Sequence, residues 1–479
     1  MDVNIYNDTF DDDEVLKSKA FEEISFSMFG KQMSTSEYVD AWQHCYGSLY
    51  NTKKLDSEVE KNAKSLNVAI DNDFFNTIKS IQENDIRVKS FGEVFTPLSL
   101  VRDMLAPLPD SVWRNPDLKW IDNSCGSGIF LTEIKRKLML TLRKVITDPI
   151  EREKHIVENM IYGVDIQASN VIYARKNLRG KSNFTPNVKF WNALDWHYWN
   201  GMKFDVVVGN PPYNDNEDRK GIVNSLYDNF VYKFFEIANP DAYLVYVHPT
   251  KWREGDNPLG ELMKSKKIHF LEIHNAKDGM KVFKRGTRYD FYVLQNTPND
   301  GTHTLIIDED GVKNKVVISK NSTIYNSNFA LLDKMIAKDG EECCEILHSN
   351  IYDHRKPYLS EVETSNHIYP VLYSIYKDKT KPPKFMYSSK KINEHFDKPK
   401  ILWGQNANTF LLDKKGEIGC TEFASAIICD EKDIDEIYEI MSSDLFQKVL
   451  ENAVFKKGSA WQVLRKFKKD FWKEFIQNP

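Results

Sequence analysis

The chain has 479 residues, with 65 Lys and Arg against 70 Asp and Glu, a formal net charge of -5 and 41% hydrophobic residues. That is enough chain for about three domains and a large buried core, and the charge sum does not announce a nucleic-acid binder. With no run of eighteen apolar residues and no signal-peptide pattern, the expectation is a soluble cytoplasmic protein. The six cysteines (Cys45, Cys125, Cys343, Cys344, Cys420, Cys429) lack CxxC or zinc spacing, which predicts a reducing compartment and no metal.

Charge is unevenly placed along the chain. Residues 1–30 hold eight acids and two lysines, and residues 1–85 show helical spacing with few strand signals, so a helical N-terminal arm is expected there. From 86 to 297 short apolar runs alternate with amphipathic segments. The pattern predicts strands at 119–122, 160–165, 188–191, 204–209, 242–248, 268–274 and 289–295, with helices over 130–146, 169–178 and 226–238 between them. This is an α/β domain with a doubly wound, mostly parallel, seven-stranded sheet, and such sheets bind ligands outside the strands' carboxyl ends. The "TPNDGTH" turn at 297–303 then opens a mixed α+β region over 298–479. Residues 371–400 hold eight lysines against three acids, and residues 455–475 hold seven Lys/Arg against two. A closing helix is expected to carry Leu464, Phe467, Phe471 and Phe475 on one face.

Chemistry concentrates at the predicted strand ends. The first strand runs into "WIDNSCGSGIF", where Gly126 and Gly128 let backbone N–H groups and a ligand approach closely. The second ends in Asp165, followed by Ile166, a position from which a carboxylate accepts ribose hydroxyl hydrogens. Asp195 trails the third, placed to accept from an adenine amine, and helix capping is the bland alternative for either acid. The fourth, "VVVGNPPYND", stops abruptly, because Pro211 and Pro212 cannot continue a ladder. Asn210 and Tyr213 are thereby set on rigid backbone at a strand's end.

In this order "GEVFTP" (92–97), "DNSCGSG" (122–128), "YGVD" (162–165) and "NPPY" (210–213) resemble amino-type, adenine-specific DNA methyltransferases of the gamma arrangement. The resemblance implies S-adenosylmethionine as methyl donor. Thr96 and Pro97 would hold its methionine end, Asp122, Gly126 and Gly128 would form its loop, and Asp165 with Ile166 and then Asp195 would hold its adenosine. Asn123 departs from the proline common after the first acid, which puts the stiffness of that loop in question. The resemblance further implies double-stranded DNA as substrate, residues 86–297 as the catalytic domain and 298–479 as the target-recognition domain. A restriction endonuclease partner, if there is one, is expected to be a separate chain, and no membrane is expected.

An adenine amine is a weak nucleophile because its lone pair is delocalised into the ring. Two acceptors aimed at its hydrogens favour localising that pair, and Asn210 Oδ1 with the Pro211 carbonyl can supply them from a loop that Pro212 stiffens. Tyr213 would stack on the extruded ring, and the resemblance places Phe283 as the opposite wall. Lys284, Arg285 and Arg288 would suit neighbouring phosphates, or be a solvated loop. Cytosine C5 chemistry needs a Pro-Cys nucleophile that the chain lacks. Methylation of cytosine N4, of RNA or of a protein glutamine amide uses the same amine logic and stays open. The lysine-rich "YKDKTKPPKFMYSSKK" and the terminal "LRKFKKDFWKEF" are expected to meet the DNA backbone.

Overall fold

The computed structural model describes residues 96–476 apart from 181, 196–198, 200, 214–224, 256, 339, 377, 379, 406–408 and 455–459. The expected N-terminal arm lies outside the described residues. The chain divides into two compact units between Ser322 and Thr323.

The first unit is built on nine strands: β1 Trp120–Asp122, β2 Ile161–Asp165, β3 Asn187–Phe190, β4 Phe204–Gly209, β5 Ala238–Pro249, β6 Lys266–His274, β7 Tyr289–Pro298, β8 His303–Ile307 and β9 Lys313–Val317. Their order across the sheet is β3-β2-β1-β4-β5-β7-β6-β8-β9. The first five in that row pair parallel, and β7 runs antiparallel to both β5 and β6. The sheet is therefore mixed and nine-stranded, two strands more than expected.

The additional strands also move the boundary from 297 to 322. The 297–303 turn does not open a new domain. Gly301 adopts a left-handed φ of 72° and Lys267 pairs with Asp300 at 2.8 Å, which returns the chain so that β8 pairs parallel to β6. Helices Ile129–Thr141, Ala168–Arg179 and Leu226–Ile237 connect the strands and lie close to their expected places. The long first crossover adds Pro149–His155, capped by Asp148, whose side chain accepts from the N–H of Ile150 and Glu151.

The all-buried pattern of β1, β2 and most of β4 follows from their central, parallel position, where both faces are covered. Because β1 to β5 are parallel and β7 is reversed, the ends of β1–β5, the end of β6 and the start of β7 lie along one edge. The "DNSCGSG", "YGVD" and "NPPY" motifs fall on that edge, whereas residues 92–95 of "GEVFTP" lie outside the described residues.

The second unit has two four-stranded sheets and a helical cluster. Its expected closing helix is broken: Ala460–Leu464 and Lys473–Ile476 are separate, and Phe467 bridges to Ile336 between them. Leu464, Phe467, Phe471 and Phe475 are nonetheless all buried in one core. Burial satisfies the apolar spacing without a continuous helix.

Candidate active site

The turn after β1 is tied down by backbone and carboxylate together. Asp122 is 1% exposed, and its Oδ1 accepts from the N–H of Ser124 at 3.0 Å. Cys125 N–H donates to the Val164 carbonyl of β2, and Gly128 N–H donates to the Cys125 carbonyl. Gly126 and Gly128 have φ of 51° and 87°, and a Cβ at Gly128 would lie 3.0 Å from the Cβ of Ala174. Gly128 is thus required both by its conformation and by the packing of the Ala168–Arg179 helix.

Asp165 closes the same turn from β2. Its Oδ2 accepts from Gly126 N–H at 2.9 Å, and its Oδ1 accepts from Gln167 N–H at 2.8 Å and Asn170 Nδ2 at 3.1 Å. Burial, with Asp165 nearby, pushes the Asp122 carboxyl up to about 8. Ile166 packs against the core beside it. Asp195 is half-buried after β3, in a turn where its N–H donates to the Asn192 carbonyl. Thr96 is buried, and Pro97 opens the Leu98–Leu105 helix by accepting from Val101 N–H.

Gly209 explains how "VVVGNPPY" meets this turn. Its φ is 152°, and a Cβ there would sit 2.9 Å from Asp122 Oδ1 and 3.3 Å from Ser124 Oγ. The residue before Asn210 is therefore in direct contact with the glycine turn. Asn210 and Tyr213 are half-buried just past it, and the Tyr213 carbonyl accepts from Leu226 N–H at 3.0 Å. Burial raises the Tyr213 hydroxyl far above its ordinary range.

Phe283 ends the Ala276–Phe283 helix, which Asn275 caps through Lys277 and Asp278 N–H. Its ring lies 6.4 Å from that of Tyr213 at 85° and 4.8 Å from Tyr289 at 74°, so the two expected walls meet edge to face. Arg285 is exposed. Arg288 is engaged otherwise than expected: its Nε and Nη2 donate to Glu309 at 3.0 and 3.3 Å, tying the start of β7 to the β8–β9 turn.

Several supporting residues carried no sequence signal. Asn123, which replaces the usual proline, accepts from the Tyr246 hydroxyl of β5, so a side chain steadies the loop instead of a ring. Gln167 and Asn170 hold Asp165 only because the next helix brings them back. Elsewhere, in the second unit, Asp353, His354 and Glu422 are spaced as metal ligands, but Arg355 already pairs with Asp353 at 2.8 and 2.5 Å.

A parallel strand edge thus carries a glycine turn, two buried acids and a proline-stiffened Asn-Tyr segment. Residues 134–283 match the family model described as Eco57I restriction-modification methylase, and the resemblance drawn from the motifs is borne out in that domain. An uncharacterized adenine-specific methylase of Mycoplasma pneumoniae is 25% identical over 39% of this chain and 63% of its own length. The modification methylase CviBIII of Paramecium bursaria Chlorella virus NC1A is 28% identical over 44% of this chain and 52% of its own length. The chain thus spans just over half to 63% of these relatives. A cryo-EM structure of a DrdV–DNA complex aligns with 97% of this chain and 65% of that one, at 10% identity and a TM-score of 0.52. A nuclease-deletion mutant of the Type ISP enzyme LlaGI with a DNA substrate mimic aligns with 97% and 53%, at 11% identity and 0.52. Those two likenesses show the fold alone. Among the described residues, no helix is long and apolar enough to cross a membrane.

Proposed function

We propose that the protein transfers a methyl group from S-adenosylmethionine to the N6 amine of an adenine extruded from double-stranded DNA. The single observation that carries this reading is the contact at Gly209, which sets Asn210 one residue from the glycine turn and its buried carboxylate. The residues present fit the donor. Asp122 suits the methionine ammonium, Gly126 and Gly128 leave the turn open to close approach, and Thr96 with Pro97 completes that end. A carboxylate offers about four lone-pair sites, so Asp165 can accept from a ribose hydroxyl as well as hold the loop. Ile166 and Asp195 take the adenine portion. Bound there, the donor supplies an electrophilic methyl on a sulfonium.

The chain's own part is to prepare the amine. Asn210 Oδ1 and the Pro211 carbonyl accept its two hydrogens, which localises the lone pair toward the methyl, and Pro212 holds both acceptors before substrate arrives. Tyr213 and Phe283 turn face-on to hold the ring between them. Arg285 remains available to a phosphate, whereas Arg288 acts through Glu309 on the frame of the site. The second unit serves target recognition, its exposed lysines meeting the DNA backbone, and any restriction endonuclease that partners it is a separate chain.

The test is expression in a host lacking adenine methylation, followed by single-molecule sequencing of its DNA. N6-methyladenine at one recurring site is expected. Methylation found on cytosine N4, RNA or protein instead overturns the reading.

A further inference from the structure

The polar atoms buried at the strand edge without a hydrogen-bond partner among the described residues include the hydroxyl of Tyr213 and Oδ1 of Asp290. Asp290 is fully buried. Its other oxygen, Oδ2, accepts from Trp252 Nε1 at 3.1 Å and Arg253 Nε at 2.8 Å, so the carboxylate is held from one side only.

The sheet order brings the two residues to the same edge. Gly209 of β4 is level with Tyr246 of β5, and His248, two residues on, is level with Asp290 of β7. Asn210 to Tyr213 thus leave the sheet at the end of β4, beside β5, and Asp290 lies at the start of β7 on the far side of β5. From the other direction, Tyr213 touches Phe283, and Phe283 touches Tyr289, the neighbour of Asp290. The Asp290 charge is felt at the Tyr213 hydroxyl, which it helps to raise.

A buried polar group left unpaired is costly, and a donor and an acceptor left unpaired along one edge remove both costs if they pair with each other. We propose that Asp290 is the positioning residue of Tyr213: its Oδ1 accepts the phenolic O–H, directly or through one water, as the ring turns from its edge-on contact to face an extruded base. Arg253 and Trp252 fix the carboxylate beforehand, so the latch costs little ordering when it closes. The proposal rests on the base-extrusion reading above.

The test uses the full chain on a duplex bearing the site that sequencing defines. Tyr213→Phe keeps the stacking ring and loses the latch. It is expected to lower kcat/KM for DNA by about tenfold or more, the worth of a hydrogen bond to a charged acceptor. Cofactor affinity is expected to be unchanged, and 2-aminopurine at the target position should be less fluorescent than with the wild type. Asp290→Asn should show the same loss, and the double variant no more than either single one. Wild-type kcat/KM in Tyr213→Phe, or losses that multiply in the double variant, overturn the latch while leaving the Tyr213 wall intact. If Asp290→Asn does not fold, Tyr213→Phe against wild type and Tyr213→Ala decides alone. A wild-type protein that leaves DNA unmethylated overturns the underlying reading and the latch together.

Discussion

The strand-end site of the first unit and the lysine-rich face of the second handle charge in opposite ways. At the site, Asp122 and Asp165 are buried and held by backbone N–H groups of a glycine turn. On the second unit Lys381, Lys384 and Lys390 are exposed and rest over the rings of Tyr376, Tyr373 and Tyr358 at 5.8, 4.8 and 4.9 Å. Methyl transfer needs acceptors fixed before substrate arrives, because any motion at the reacting amine is lost rate. Backbone binding needs only positive charge that adapts to a phosphate, and a lysine resting on a tyrosine leaves that ring at little cost. The terminal lysines differ again. Lys468, Lys469 and Lys473 pair with Glu474, Asp430 and Asp470, so the expectation of phosphate binding sits best on the 376–391 segment.

The contrast can be broken from either side. The largest effect is expected from Asn210→Ala, which should lower kcat at least about 100-fold by removing one prepared acceptor. Calorimetry should find cofactor affinity nearly unchanged; loss of cofactor binding as well would mean that the two halves of the site are not separable. Next, Asp165→Ala should weaken S-adenosylmethionine by about tenfold or more, since it removes charge-assisted hydrogen bonds while DNA affinity holds. Equal cofactor affinity in the variant would remove Asp165 from the ribose. Replacing Lys381, Lys384 and Lys390 together by Ala should leave single-turnover chemistry on bound DNA intact. It should flatten the dependence of log affinity on log salt by about 0.9 for each phosphate that is no longer neutralised. An unchanged slope would place the DNA elsewhere on the unit.

The smallest effect concerns pH. Asp122 is raised in the folded state to about 8 from the ordinary carboxylate range, so its contribution to stability is fully present at low pH and is lost as pH rises toward that value. His248 is buried and lowered to about 4, so its contribution is present above the ordinary histidine value and is lost as pH falls through 4. The cofactor-free melting temperature should therefore decline from about pH 6 to 8, and Asp122→Asn should flatten that decline. A decline equally steep in the variant would assign it to other groups.

Most of the sheet and the strand-end motifs were legible in the sequence because each motif position there admits few residue types. Gly128 must be left-handed and slim, Gly209 must pass Asp122, and two prolines must end β4. It missed β8 and β9, whose exposed and alternating residues resemble a surface loop until the edge of β6 is there to pair them. It also extended the closing helix through Phe467, since a buried face can be filled by a broken backbone as well as by a helix.

What the sequence alone determined is the set of residue types at the strand ends: a Gly-x-Gly turn, acids after successive strands, and Asn-Pro-Pro-Tyr where a strand must stop. These are local demands of backbone geometry and side-chain type, readable within a few residues. What only the tertiary structure decided is which groups those residues share. Arg288 belongs to Glu309, 21 residues away; Asn123 belongs to Tyr246, 123 residues away; and Asp290 of β7 comes to lie on the far side of β5 from the end of β4. Pairings of that kind depend on sheet order and register, which no single stretch of chain contains.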